Sequence, residues 1–181
     1  MTDIKIENIV AYAKIADSFN IQQLTEEMPE FLYNPDDFSG VTIKLDEPKT
    51  AVLVLPNGRA ICTGAKTIED VDISIKKVAN KLKKAGFTIK SKLKIETQNI
   101  IASIDVDEEL HLSSISKGLI LESVDYEPEN FPGLIYKMDD LGVILILFSS
   151  GKIICNGART EEDASKALEM MKEKLSSIGA F

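Results

Sequence analysis

Apolar residues recur at helical spacing in two distant stretches of the chain. Val71, Ile75, Val78 and Leu82 fall at i, i+4, i+7 and i+11. Ala164, Leu168, Met171 and Leu175 repeat that spacing, each 93 positions later. One apolar stripe per stretch predicts one long amphipathic helix in each. Thr67 with Asp70, and Thr160 with Asp163, predict capping-box starts, with Asp in place of the usual Glu or Gln. Gly86 and Gly179 are natural stops. A shorter helix is predicted ahead of each long one. Asn20-Ile21-Gln22-Gln23-Leu24 carries a cap and apolar spacing, and Leu112 to Leu119 is its weaker counterpart.

Between these stretches the period changes to strands. Thr50 to Leu55 and Val143 to Phe148 are short, β-prone apolar runs. Pro56-Asn57-Gly58 and Ser149-Ser150-Gly151 follow as hairpin turns, leading into Arg59 to Thr63 and Lys152 to Asn156. Helices beside antiparallel strands predict an α+β class. A sheet covered by helices on one side ordinarily alternates apolar and polar residues, and these strands do not. Leu53 and Leu55 share one face and Val52 and Val54 the other. Ile144, Ile146 and Phe148 face one way, and Val143, Leu145 and Leu147 the other. Two long helices cover one face. The second apolar face is either core beneath the other half of the chain or an exposed patch that needs a partner.

The correspondence extends along the whole chain. Gly58-Arg59-Ala60-Ile61-Cys62-Thr63-Gly64-Ala65-Lys66 recurs as Gly151-Lys152-Ile153-Ile154-Cys155-Asn156-Gly157-Ala158-Arg159. Tyr33-Asn34-Pro35-Asp36-Asp37-Phe38 recurs as Tyr126-Glu127-Pro128-Glu129-Asn130-Phe131. Asn8-Ile9-Val10 matches Asn99-Ile100-Ile101 at an offset of 91, so a two-residue indel lies between Asn8 and Tyr33. The chain reads as two tandem repeats, 1–91 and 92–181, with no Pro/Gly/Ser linker between them. That suggests a pseudo-dimer with approximate two-fold symmetry rather than a solenoid.

Composition narrows the class. With 181 residues, 44% hydrophobic and 28% charged, the chain is long enough to bury a core. No apolar run approaches the roughly 20 residues of a membrane span, so no membrane association is expected. The start shows no secretory signal, and no Asn-x-Ser/Thr acceptor occurs. With two cysteines, this points to a reducing, intracellular setting. An enzyme is not expected. The one histidine, His111, lies in the weak helical segment and reads as an ordinary surface or partly buried residue. No Cys/His cluster has metal spacing, no Gly-rich phosphate loop precedes a helix, and no cofactor is implied. Cys62 and Cys155 alternate away from Ile61 and Thr63, and read as small buried residues under the helices.

The ordered motifs Asn8-Ile9-Val10, Tyr33-Asn34-Pro35-x-x-Phe38, Glu47-Pro48-Lys49-Thr50, Cys62-Thr63-Gly64-Ala65-Lys66 and Phe131-Pro132-Gly133-Leu134-Ile135-Tyr136 resemble the TATA-box-binding protein family over nearly the whole chain. The absence of an N-terminal extension and the acidic balance look more like an archaeal member than a eukaryotic one. The resemblance implies a saddle: a curved ten-stranded antiparallel sheet, five strands per repeat, with four helices on the convex face. The other face would lie in the minor groove of promoter DNA. The resemblance also implies the kink of about 80° that is known for TATA-binding protein on such DNA.

The resemblance also implies roles. Phe38 and Leu55 in the first repeat, and Phe131 and Phe148 in the second, match the side chains that pry base steps apart. Leu55 departs from the usual Phe and offers no aromatic face. Asn8 and Asn99 match the central asparagines, whose amides reach base acceptors. Thr63 matches a base-contacting threonine, and Asn156 replaces it in the second repeat while keeping a donor. Val10, Ile101, Leu53, Ile61, Ile146 and Ile154 match the apolar floor. Lys44, Lys49, Arg59, Lys66, Lys137, Lys152 and Arg159 match phosphate contacts, and Gly142 stands where another base is usual. Glu127 and Glu129 match the loop that contacts transcription factor B, and RNA polymerase would be reached indirectly. A weak homodimer through the concave face is a further expectation. So is a cytoplasmic, nucleoid-associated location for an archaeal protein, or a nuclear one for a eukaryotic protein.

Charge complicates this expectation. Lys+Arg is 21 and Asp+Glu 29, for a formal net charge of −8, whereas nucleic-acid-binding domains are usually basic. The halves differ: residues 1–91 hold 12 basic and 13 acidic residues, and residues 92–181 hold 9 and 16. A weaker long-range pull toward DNA and binding tolerant of elevated salt are expected. Lys76, Lys77, Lys81, Lys83 and Lys84 give the first long helix a basic face, either merely solvated or a docking surface for regulators. The rival to the whole account is a duplicated α+β module that binds a small apolar ligand or a protein partner.

Overall fold

A computed structural model describes residues 3–34, 36, 39–119 and 123–180. The elements run β1 (Lys5–Lys14), α1 (Ile21–Glu27), β2 (Leu32–Tyr33), β3 (Val41–Leu45), β4 (Thr50–Val54), β5 (Arg59–Ala65) and α2 (Ile68–Lys84). The order then repeats as β6 (Ile95–Asp105), α3 (Leu112–Gly118), β7 (Val124–Asp125), β8 (Leu134–Met138), β9 (Val143–Leu147), β10 (Lys152–Ala158) and α4 (Glu161–Ser177). The strand order is β2-β3-β4-β5-β1-β6-β10-β9-β8-β7, so the ten antiparallel strands and four helices expected from the resemblance are present. Asn8–Gln98 is one compact unit; Asn99 onward, together with the start of the chain up to Glu7, is the other. The division passes through β1 and β6, while Ser91 lies in the bend before β6.

The long helices form where the stripes predict. Val71, Ile75, Val78 and Leu82 are buried on α2, as are Ala164, Leu168, Met171 and Leu175 on α4. α2 packs on β4 and β5, and α4 on β9 and β10. Their partners are the inward residues of the strands: Val52, Val54, Ala60 and Cys62 in one unit, and Leu145, Leu147, Ile153 and Cys155 in the other. Each fully buried Val, Leu or Ile contributes about 1.5–3 kcal/mol relative to exposure, so these stripes hold the helices in place. Burial also raises both thiol pKa values, that of Cys155 to about 11.

The caps depart from the expected box in one detail. Thr67 Oγ1 accepts from Asp70 N–H and Thr160 Oγ1 from Asp163 N–H, each at 3.0 Å. In α4 the reciprocal bond does not reach back to the cap's backbone. The Thr160 hydroxyl instead donates to Asp163 Oδ2 at 2.7 Å. Aspartate is one methylene shorter than the glutamate a capping box uses. Both helices end in the same double bond: Phe87 N–H to Leu82 O and Gly86 N–H to Lys83 O, then Ala180 N–H to Leu175 O and Gly179 N–H to Ser176 O. α1 starts on Asn20, which accepts from Gln23 N–H at 3.2 Å. α3 starts on His111, which makes no side-chain cap bond and is exposed; hence its faint sequence signal.

One irregularity occurs once in each unit. Ile9 pairs with Ala65 and Ala11 with Cys62, so two steps on β1 oppose three on β5. Ile100 pairs with Ala158 and Ala102 with Cys155 in the same way. The extra residue of each bulge is accommodated at Gly64 (φ 91°) and Gly157 (φ 105°), in a backbone region that side chains with a Cβ rarely enter.

Candidate nucleic-acid interface

Alternation places the second apolar face away from α2 and α4. In the first repeat the register runs Thr42–Leu53–Ile61–Tyr12 across β3, β4, β5 and β1. In the second it runs Ile135–Ile146–Ile154–Ser103 across β8, β9, β10 and β6. Val10, Leu53, Leu55 and Ile61 are half-buried, as are Ile101, Ile146, Phe148 and Ile154, while their neighbours on the opposite face are fully buried. Ile144 is 39% exposed in mid-strand. The apolar floor therefore remains open to solvent in each unit, which answers the question the strand pattern raised. Residues this apolar do not stay on a sheet surface for their own stability.

The bulges organise the polar groups on that face. Each frees a backbone N–H from the ladder. Gly64 N–H donates to Asn8 Oδ1 at 2.7 Å, and Gly157 N–H to Asn99 Oδ1 at 2.8 Å. With the oxygen engaged, each amide nitrogen is turned the other way. Asn8 Nδ2 donates to Thr63 Oγ1 at 3.2 Å, and Asn99 Nδ2 to Asn156 Oδ1 at 2.7 Å. Each Nδ2 keeps a second hydrogen. In the second repeat the Asn156 amide, its oxygen taken, has both hydrogens to offer. These four side chains are fixed donors on an otherwise apolar surface.

The hairpin turns carry the expected wedges. Leu55 N–H donates to Arg59 O, and Phe148 N–H to Lys152 O, both at 2.9 Å, so the two side chains occupy equivalent places. Phe131 is 38% exposed and meets Phe148 edge-to-face, with ring centroids 6.1 Å apart and planes at 65°. The turn that carries Phe131 is closed by Glu127 O, which accepts from Asn130 and Phe131 N–H at 2.9 Å each. The expected wedge at Phe38 lies outside the described residues. Glu127 and Glu129 are both exposed.

All seven expected phosphate contacts, Lys44, Lys49, Arg59, Lys66, Lys137, Lys152 and Arg159, are exposed. Lys44 lies in register with Ala51 and Thr63, and Lys137 with Ile144 and Asn156. Gly142, where a base is missing, ends a 3-10 turn at φ 63°. Val10 was marked by resemblance alone, and Tyr12 was missed; alternation along β1 from Val10 leads to Tyr12, whose ring lies under Arg59 and whose hydroxyl donates to Glu96 Oε2 at 2.8 Å. That bond raises the Tyr12 pKa and, with Lys94, holds the Glu96 carboxyl below its ordinary range. Among the described residues, no three His, Cys, Asp or Glu side chains are grouped to hold a metal ion, and no helix is long and apolar enough to cross a membrane.

Two copies of one α+β unit, each with an apolar sheet face, oriented amide donors and exposed basic residues, define a duplicated binding protein for an extended, acceptor-rich, anionic partner. The chain belongs to the family described as transcription factor TFIID (or TATA-binding protein, TBP), which it matches over residues 3–85 and 94–178. It is 42% identical over 180 residues to TATA-box-binding protein D of Halobacterium salinarum, spanning 99% of this chain and 97% of that one. It is 39% identical to the TATA-box-binding protein of Archaeoglobus fulgidus, spanning 97% and 96%. Among solved structures it superposes on Methanococcus jannaschii TBP with a TM-score of 0.86 at 37% identity, over 97% of this chain and 99% of that one. The family is one of transcription factors, not enzymes.

Proposed function

We propose that the protein is a general transcription initiation factor that binds A·T-rich promoter DNA, the TATA box, in the minor groove. It kinks that DNA with inserted apolar side chains and recruits transcription factor B and, through it, RNA polymerase. The observation that carries this reading is the pairing, in each repeat, of a solvent-open apolar floor with an asparagine amide locked donor-outward by a bulge N–H. In the minor groove an A·T pair presents only acceptors, whereas a G·C pair adds the guanine amino group. Fixed donors on an apolar surface satisfy the first pattern and are obstructed by the second.

Leu55, Phe131 and Phe148, with Phe38, act as the wedges that unstack base steps. The exposed lysines and arginines take the flanking phosphates. Glu127 and Glu129 offer transcription factor B an acidic loop. Without DNA, the same apolar faces support a weak homodimer, and the protein works on the nucleoid in the cytoplasm. The test is a gel shift with an A·T-rich duplex against a G·C-rich one of equal length. Preference for the first supports the reading, and equal affinity for both overturns it.

A further inference from the structure

The two repeats diverge along one row of the open face. In the unit Asn8–Gln98, Lys44, Ala51 and Thr63 lie in register across β3, β4 and β5. In the other unit the same places, each 93 residues on, hold Lys137, Ile144 and Asn156 across β8, β9 and β10. The lysine is kept. Alanine becomes isoleucine, 39% exposed in mid-strand, and threonine becomes asparagine. Neither change serves the sheet. Threonine favours strands and asparagine does not, and an isoleucine left open to water forfeits much of its burial.

The divergence alters what each row presents to a base pair. Asn8 Nδ2 donates to Thr63 Oγ1 at 3.2 Å, which occupies one lone pair of the hydroxyl. The Thr63 proton still swings about the Cβ–Oγ1 bond, and a second lone pair remains. Thr63 therefore donates to an A·T acceptor, yet it also accepts from a guanine amino group. Asn156 has no such choice. Gly157 N–H holds Asn99 Oδ1, and Asn99 Nδ2 donates to Asn156 Oδ1 at 2.7 Å, which leaves the Asn156 amide donor-outward. Turning it over would set two amide nitrogens against each other. A guanine amino group meets another donor there, with the larger Ile144 beside it where the first repeat has Ala51.

We propose that Asn156 and Ile144 make the second repeat the strict reader of the site: it refuses a G·C pair that Thr63 and Ala51 accommodate under the first. This rests on the minor-groove reading above. A duplex with G·C in one half only then binds with that half under the first repeat. The same two residues thus give the complex a direction on an otherwise symmetric sequence.

The experiment is an anisotropy titration of the full chain against labelled duplexes with a self-complementary A·T core. One G·C pair is placed in one half, or mirrored in both, and its position is moved through the half-site in separate duplexes. Each duplex has a twin with inosine·C, which lacks the guanine amino group in the minor groove. The readout is the ratio of Kd for G·C to Kd for inosine·C, so losses of overall affinity cancel. Wild type is compared with Asn156→Thr/Ile144→Ala and with Thr63→Asn/Ala51→Ile. Each pair installs side chains that the other repeat already carries, thermal melts establish folding, and either pair alone decides the matter. At the position that faces Asn156, wild type is expected to show a ratio within about three-fold for one half. For both halves the expected ratio is roughly 5- to 150-fold. Asn156→Thr/Ile144→Ala brings the both-halves ratio within about three-fold, and Thr63→Asn/Ala51→Ile raises the one-half ratio into the larger range. The proposal is overturned if one half alone costs more than about three-fold wherever both halves do. It is also overturned if no position separates G·C from inosine·C, or if the ratios survive these exchanges. A wild type that binds the all-A·T core no better than a G·C-rich duplex sinks the promoter reading itself, whereas each of the other failures leaves that reading standing.

Discussion

Replacing Asn99 with Asp changes one atom's chemistry and almost nothing of its shape. Gly157 N–H still finds an oxygen acceptor at 2.8 Å, and a carboxylate accepts it at least as well. The other carboxylate oxygen then faces Asn156 Oδ1, which lay 2.7 Å from the lost Nδ2. Two acceptors repel, so the Asn156 amide turns over and donates inward. The open face loses the Asn99 hydrogen and one of the two on Asn156, and gains an outward oxygen beside base acceptors. Leaving desolvated acceptors unpaired costs about 1–3 kcal/mol each. For two such groups the loss is about 2–6 kcal/mol of binding, or roughly 30- to 20,000-fold in Kd. Folding is untouched, because every bond that holds the bulge survives. The assay is anisotropy binding of Asn99→Asp to an A·T-rich and a G·C-rich duplex at one salt concentration, beside a thermal melt. The expected result is a native melting temperature, a large loss on A·T-rich DNA and a small loss on G·C-rich DNA. Binding to the A·T-rich duplex within three-fold of wild type would refute the donor-outward geometry. Equal losses on both duplexes would show that only charge had mattered.

Phe131→Ala with Phe148→Ala is expected to abolish most of the DNA bend measured by energy transfer between duplex ends, and an unchanged bend rules out these wedges. Because the rings touch edge-to-face, the single variants should be non-additive by about 0.5–1.5 kcal/mol in a double-mutant cycle. Thr160→Ala removes the α4 cap and should cost about 1 kcal/mol in denaturant unfolding; no measurable change would mean that the cap contributes nothing. Cys155, with its pKa pushed up to about 11 by burial, and Cys62 should resist a thiol reagent at pH 8 until the protein is unfolded. Rapid labelling of the native protein contradicts their placement. The Tyr12 bond lowers the Glu96 pKa, so its contribution to stability is present above the ordinary carboxylate range and fades as pH falls through the lowered value. Tyr12→Phe should therefore move the Glu96 titration, followed by NMR, upward; an unmoved titration denies the bond.

The sequence showed the repeat, the long helices and the two-faced strands because each rests on a period that a single chain displays. The stripe on α2 and the alternation through Val52, Leu53 and Val54 are local facts. β2 and β7 are two residues long and carry no period at all. The open floor needed coordinates, since apolar residues on both faces of a strand fit a sandwich as well as an unpartnered surface. The bulges were hidden because an added residue shows only in the pairing of Ile9 with Ala65 against Ala11 with Cys62. Tyr12 acquires its meaning from Glu96, 84 residues away, a separation over which no local pattern speaks. Asn8 and Asn99 were marked by resemblance, but which end of each amide points outward was decided only by the glycine N–H behind it.

The one-residue surplus at Gly64 and Gly157 makes these strands sensitive to length in a way they are not to composition. Delete either glycine and the strand must choose. It can keep step with one neighbour and lose the asparagine's anchor, or keep the anchor and turn its oily side chains through half a revolution. An exchange of one aliphatic residue for another leaves that phase intact, whereas a single missing codon in the same stretch inverts it.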